Sequence, residues 1–162
     1  MTSSLIFRAG TIHDVVVRPL KRFADARGWL TELFRQDEMD PVHFPAMGYV
    51  SMTLPGVTRG PHEHVEQTDL FAFVGPSSFR VVLWDGRPAS ASYGIRQEVI
   101  AGADQPATVL VPPGVVHAYR NVGSEPGLVF NVPNRLYAGA GKKQPVDEIR
   151  HEDRTDRLYE ID

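Results

Sequence analysis

The 162-residue chain contains no cysteine. That excludes a disulfide framework, thiolate metal ligation and a cysteine nucleophile, and it agrees with a reducing compartment. No apolar run approaches the roughly 20 residues that a membrane-spanning helix needs. The opening M-T-S-S-L-I-F lacks the basic stretch and long apolar core of a secretory signal. A cytoplasmic location with no membrane partner is therefore expected. A basic stripe is missing too: 17 Lys and Arg face 20 Asp and Glu, for a net charge of −3. The densest cationic spot, Gly141-Lys142-Lys143, is too short to hold a phosphate backbone, so nucleic acid is not expected. Long helical periodicity is also absent. Only Asp37 to Phe44 reads as one short helix, with Pro41 near its first turn.

What the chain does have is 14 glycines and 13 prolines placed between short apolar runs. This is the punctuation of an all-β chain. The expected strands are Val15–Val17, Trp29–Phe34, Gly48–Leu54, Asp69–Val74, Phe79–Trp84, Tyr93–Ile100, Ala107–Val111, His117–Asn121 and Leu128–Val132. Asp69–Val74 and Phe79–Trp84, joined by G-P-S-S, read as a hairpin. Strands every 8 to 12 residues argue for a sandwich or barrel, and the length suits a single domain over 1–162. The charged tail V-D-E-I-R-H-E-D-R-T-D-R reads as a solvated edge strand or a short final helix.

The chemistry-bearing residues are histidines. His62 and His64 in R-G-P-H-E-H point to the same face if they lie on a strand. Asp69 opens the next apolar strand, and His117 follows the turn P-P-G. Three imidazoles and one carboxylate suit a divalent metal with open positions for substrate. The same imidazoles suit proton transfer near neutral pH. The spacing H-x-H-x4-D, then P-x-G-x2-H-x3-N, resembles the two motifs of the cupin superfamily. That likeness implies a jelly-roll barrel whose metal ligands would be His62, His64, Asp69 and His117. Asp69 stands where those motifs usually carry Glu.

A second resemblance spans about 130 residues. D-A-R-G-W-L-T-E (Asp25–Glu32), R-G-P-H (Arg59–His62), D-G-R-P-A-S-A-S-Y-G (Asp85–Gly94), P-P-G-V-V-H-A-Y (Pro112–Tyr119) and the tyrosine of N-V-P-N-R-L-Y-A-G (Asn131–Gly139) follow the order of segments in the dTDP-4-dehydrorhamnose 3,5-epimerase family. The resemblance implies a cupin-type double-stranded β-helix and a homodimer. It implies a cofactor-independent epimerase or isomerase acting on a nucleoside-diphosphate 4-keto-6-deoxysugar. By the same resemblance His62 is the base, Tyr137 the acid, and His117 and Arg59 polarise the ketone. Arg27, Glu32, Arg59, Tyr119 and Asn131 would contact the nucleotide sugar.

Three positions depart from the family pattern. The C-terminal L-S-x-K-D segment, whose aspartate orients the catalytic histidine, has no counterpart here. The family lysine after R-G-L-H falls at or beside Asp69. His64 replaces the usual residue of R-G-L-H-x-Q. Loss of a lysine and gain of His64 and Asp69 are changes that a metal site would require. A metal-dependent cupin and a non-catalytic sugar-binding cupin are therefore the alternative readings.

Overall fold

The computed structural model describes residues 5–161, which form short strands and three single-turn 3-10 helices. The strands are β1 (Arg8–Ala9), β2 (Val16–Pro19), β3 (Phe23–Asp25), β4 (Gly28–Leu30), β5 (Tyr49–Thr53), β6 (Thr58–Glu63), β7 (Asp69–Gly75), β8 (Ser78–Asp85), β9 (Ile95–Gly102), β10 (Ala107–Val111), β11 (Val115–Asn121), β12 (Gly127–Asn131) and β13 (Ile149–Arg150). One sheet runs β1-β9-β8-β11-β6-β13 and the other β2-β10-β7-β12-β5; β3 and β4 pair as a separate arm.

The two large sheets face each other across an aromatic core. Alternate residues of β7, β8 and β11 point inward, which brings Phe73, Phe79 and Tyr119 together at ring-centroid distances of 5.4 to 5.7 Å. Phe71, Val81, Leu83, Val109, Val115 and Val129 fill the space around them. The opposite face of β8 and β11 carries Val82, Trp84, Val116 and Ala118. Phe7, Tyr159 and Ile161 cover it, so the charged tail is pinned down by a few apolar anchors.

The all-β sandwich agrees with the expectation, while three local readings are corrected. The segments read as a 69–84 hairpin do not pair. β7 lies between β10 and β12, and β8 lies between β9 and β11. Every residue of β7 is buried, which suits a central strand and not a surface hairpin arm. The chain changes sheets at Gly75, whose φ of +112° an L side chain rarely adopts. The strand expected over Trp29–Phe34 is only β4, because among the described residues β3 is its sole partner. The helix expected over 37–44 is two 3-10 turns, Gln36–Glu38 and Pro41–His43. Pro41 disfavours helical geometry at Asp40, whose carboxylate instead caps the Val42 amide at 3.0 Å. The tail makes an edge strand, β13, beside β6. Among the described residues no helix is long and apolar enough to cross a membrane.

Candidate functional site

The site begins with a β-bulge. His62 on β6 stands opposite His117 on β11, yet two residues further along β11 Tyr119 stands opposite Arg59. Three residues of β6 thus span two of β11. In a regular strand Arg59 and His62, an odd number apart, would point to opposite faces. The extra residue, in the Gly60-Pro61 stretch, brings both onto the inner face with His117 and Tyr119. Gly60 is required there. Its φ is +86°, and a Cβ would lie 2.6 Å from the His117 carbonyl oxygen.

Four potential ligand atoms, one each from His62, His64, Asp69 and His117, lie within 4.8 Å of one another. Asp69 is the centre. Its Oδ2 is 3.0 Å from His64 Nε2 and 3.3 Å from His117 Nε2. Its Oδ1 accepts hydrogen bonds from Gln67 Nε2 and Asn131 Nδ2, both at 2.9 Å. The far sides of the two rings are fixed as well. His117 Nδ1 donates to the Val115 carbonyl at 3.0 Å, and His64 Nδ1 donates to the Asp147 carbonyl. A carbonyl only accepts, so each Nδ1 carries its proton, and in a neutral ring Nε2 is the lone pair. The Asp147 carboxylate in turn accepts from the Val65, Glu66 and Gln67 amides at 2.8 to 2.9 Å, which locks the loop that follows His64.

The charges follow from this packing. Burial, then the neighbouring His117 and His64, push His62 down to about 3, so it is neutral at pH 7. Burial works against the charged form of His64, but the adjacent Asp69 carboxylate and Asp147 outweigh it and raise His64 to about 9. Burial likewise opposes the charge on Asp69, and His117 and His64 hold its carboxyl far below the usual range. His62 differs from the other two histidines. Among the described residues no hydrogen bond engages its ring, and it faces a cavity of about 830 Å³.

Arginines and tyrosines line that cavity. Arg59 spends Nε on the Thr53 hydroxyl and Nη2 on the Met52 carbonyl, at 2.9 and 2.8 Å. Arg135 and Arg150 also line the cavity, and Arg150 lies opposite His62 in the β13–β6 pairing. Tyr137, 58% exposed, is at the same cavity, close enough to Arg150 to interact electrostatically with it. The Tyr49 hydroxyl accepts from Asn131 at 3.0 Å, and burial is the main reason its pKa rises to about 12.

Of the residues expected at the site, the fold gathers His62, His64, Asp69, His117, Arg59, Tyr119 and Tyr137. Asn131 is buried behind Asp69 and supports it. Arg27 and Glu32 are elsewhere. Arg27 is on the β3–β4 arm, its side chain 89% exposed and paired with Asp25 at 2.6 Å, and Glu32 pairs with Arg35. Sequence reasoning missed Arg135, Arg150, Tyr49, Gln67 and Asp147. The last was read as part of a solvated tail, because nothing local announces a carboxylate that caps three distant amides.

The chain matches the family model for dTDP-4-dehydrorhamnose 3,5-epimerase over residues 9–154. The chain belongs to the dTDP-4-dehydrorhamnose 3,5-epimerase family. Two curated relatives agree. A probable low-salt glycan biosynthesis epimerase of Haloferax volcanii is 39% identical over 128 residues, 78% of this chain and 81% of that one. A spore coat polysaccharide biosynthesis protein of Bacillus subtilis is 37% identical over 126 residues, covering 78% and 82%. Among solved structures, a dTDP sugar isomerase from Desulfovibrio desulfuricans superimposes with a TM-score of 0.77 at 23% identity, covering 90% and 88% of the two chains. A 3'-monoepimerase from Streptomyces bikiniensis, in complex with dTDP-quinovose, gives 0.75 at 20% identity, covering 94% and 76%. The fold is thus the cupin-type jelly roll of this epimerase family, and the chain is an isomerase of the sugar-epimerase type.

Proposed function

We propose that the protein epimerises a nucleoside-diphosphate 4-keto-6-deoxysugar at a carbon beside the ketone. The observation that carries this is His62: a neutral imidazole, uncommitted on both nitrogens, facing a cavity ringed by three arginines. Carbons 3 and 5 flank the ketone, so their protons are acidic. His62 removes one, the electrons move onto the ketone oxygen as an enolate, and Tyr137 returns a proton to the other face. Arg59 offers its remaining Nη1 to the enolate oxygen, charge that counts most as the negative charge develops. Arg135 and Arg150 suit the diphosphate, which an arginine fork can hold through two oxygens.

His117 takes a positioning role in this reading. Its nitrogens face Val115 and Asp69, which leaves neither for a ketone. A low resting pKa makes His62 a weak base alone. The diphosphate and the enolate each bring negative charge that raises it once substrate is bound. Arg27 and Glu32 are too exposed to serve this cavity from their own chain. They serve it in a homodimer, which the apolar Val50, Met52 and Leu54, exposed on and just beyond edge strand β5, also favour.

The test is proton NMR of dTDP-4-keto-6-deoxyglucose in D2O with chelator-treated protein. Loss of the C3 or C5 proton signal supports the reading and names the carbon. A spectrum unchanged after many enzyme equivalents of time overturns it for this substrate.

A further inference from the structure

We propose that the Tyr49 hydroxyl is a catalytic hydrogen-bond donor to the substrate's ketone oxygen, forming with Arg59 the pocket that holds the enolate. The proposal deepens the epimerase reading and rests on it.

It starts from the pattern of β5. In Y-V-S-M-T the side chains alternate, with Tyr49, Ser51 and Thr53 on one face and Val50 and Met52 on the other. The sense is inverted for a strand that covers an apolar core. Val50 and Met52 are exposed, whereas Tyr49 and Ser51 line the cavity and Thr53 is buried. A polar row facing inward suits a strand whose interior neighbour is a ligand.

Two of the three hydroxyls are engaged. Ser51 Oγ and the Tyr119 hydroxyl are 3.3 Å apart, and Thr53 Oγ1 accepts from Arg59 Nε at 2.9 Å. Tyr49 is held differently. Asn131 Oδ1 accepts from the Leu70 amide at 3.2 Å, which turns Nδ2 toward Tyr49 Oη at 3.0 Å and Asp69 Oδ1 at 2.9 Å. An amide nitrogen only donates, so Tyr49 accepts there and keeps its own proton to give. Among the described residues no hydrogen bond takes that proton. Tyr49, pushed up to about 12 chiefly by burial, stays protonated at neutral pH, so it serves as a donor and not as a base.

The base and the donor come from different sheets. His62 is on β6 and Tyr49 on β5 of the facing sheet, and both border one cavity. Enolisation needs such a division. A base takes the proton from above or below the plane of the carbonyl, whereas a donor to its oxygen lies near that plane. The Arg59 guanidinium is tied to β5 through Thr53 and the Met52 carbonyl, so its Nη1 and Tyr49 Oη are both held at that strand. As His62 takes the proton, the C–H electrons form the carbon–carbon double bond and the carbonyl pair moves onto oxygen. The Tyr49 proton stays on its own oxygen throughout, and its hydrogen bond strengthens as the negative charge grows. Tyr137 keeps the separate task of returning a proton to carbon.

The test compares wild type with Tyr49→Phe on dTDP-4-keto-6-deoxyglucose. The variant should fold with a similar melting temperature, since Asn131 Nδ2 keeps its bond to Asp69. Its kcat should fall about 100-fold, the loss expected for one oxyanion donor, with KM within about threefold. A second readout separates contact from structure. In the His62→Asn background, where turnover is slow, difference infrared spectroscopy reads the carbonyl stretch of bound ketosugar isotope-labelled at C4. Adding Tyr49→Phe should move that band to higher wavenumber, because a hydrogen bond to the oxygen weakens the C=O bond. A band that stays in place overturns the proposal, as does an unchanged kcat or a loss confined to KM. Wild type that exchanges neither the C3 nor the C5 proton overturns the epimerase reading itself, and the Tyr49 assignment falls with it. Wild-type exchange with an unmoved band overturns Tyr49 alone.

Discussion

His62 and His117 face each other across β6 and β11, their ring centroids 4.4 Å apart. One is held by its neighbours and the other is not, and that asymmetry assigns the proton chemistry to His62. His62→Asn should reduce C–H exchange by at least about 100-fold, the lower range for loss of a general base. Affinity for dTDP should change by less than about threefold. Deuterium incorporation by NMR, with calorimetry of dTDP binding, checks both halves. Full exchange in the variant would remove His62 from the chemistry.

Gly60 sets the bulge that turns Arg59 and His62 to one face. Gly60→Ala puts a methyl 2.6 Å from the His117 carbonyl at a φ of +86°. The backbone must shift, at a cost of at least about 2 kcal/mol. Urea unfolding should show that loss, and the variant should lose activity in excess of its unfolded fraction. A variant as stable and active as wild type would mean that the bulge does not place these two side chains.

Arg135→Ala should raise KM by about tenfold or more and leave kcat within about threefold, because diphosphate contacts bind ground and transition states alike. Steady-state kinetics on the same ketosugar separates the two constants. A loss confined to kcat would move Arg135 from the diphosphate to the reacting centre.

The pH dependence of stability follows from the two opposed histidines. In chelator-treated protein, His62 at about 3 refuses a proton that the unfolded chain accepts near 6.5. Stability should therefore fall as pH drops below about 6.5, and further once Asp69 is forced to protonate. His64, raised to about 9, stabilises fully below about 6.5, and its contribution is lost as pH rises through 9. The dome should peak near pH 6.5, with limbs no steeper than about 1.4 kcal/mol per pH unit for each proton. Urea midpoints from pH 4 to 9 trace it. His64→Asn should flatten the alkaline limb, and an alkaline limb unchanged in that variant would contradict the pairing with Asp69.

The strands were legible in the sequence wherever a short apolar run was bounded by turn residues, as in β10, which is buried throughout and whose bounds Ala107–Val111 match those expected. Pairing was less legible. Asp69–Val74 and Phe79–Trp84 carry a local hairpin signature, but a strand buried on both faces must have a neighbour on each side, and those neighbours come from distant segments. At the site, R-G-P-H and P-P-G-V-V-H announced three histidines. Their division of labour was not visible, because it rests on which carbonyl meets which ring nitrogen. The carbonyl of Asp147 reaches His64 across 83 positions of sequence. The tail that supplies it looked like solvent-facing charge, since a carboxylate on three amides has the same composition as one in water.

His62 and His117 hang from one sheet and Asp69 from the other, so the cluster straddles the sandwich like a clasp between two plates. Its dimensions are therefore set by the thickness of the filling. Phe71 lies between the plates, 5.4 Å from the His117 ring and 5.7 Å from Tyr119. A methylene gained or lost there changes the gap, and with it the reach from Asp69 to the imidazoles. Chemistry at the mouth of the barrel can thus be retuned by side chains that never touch a substrate.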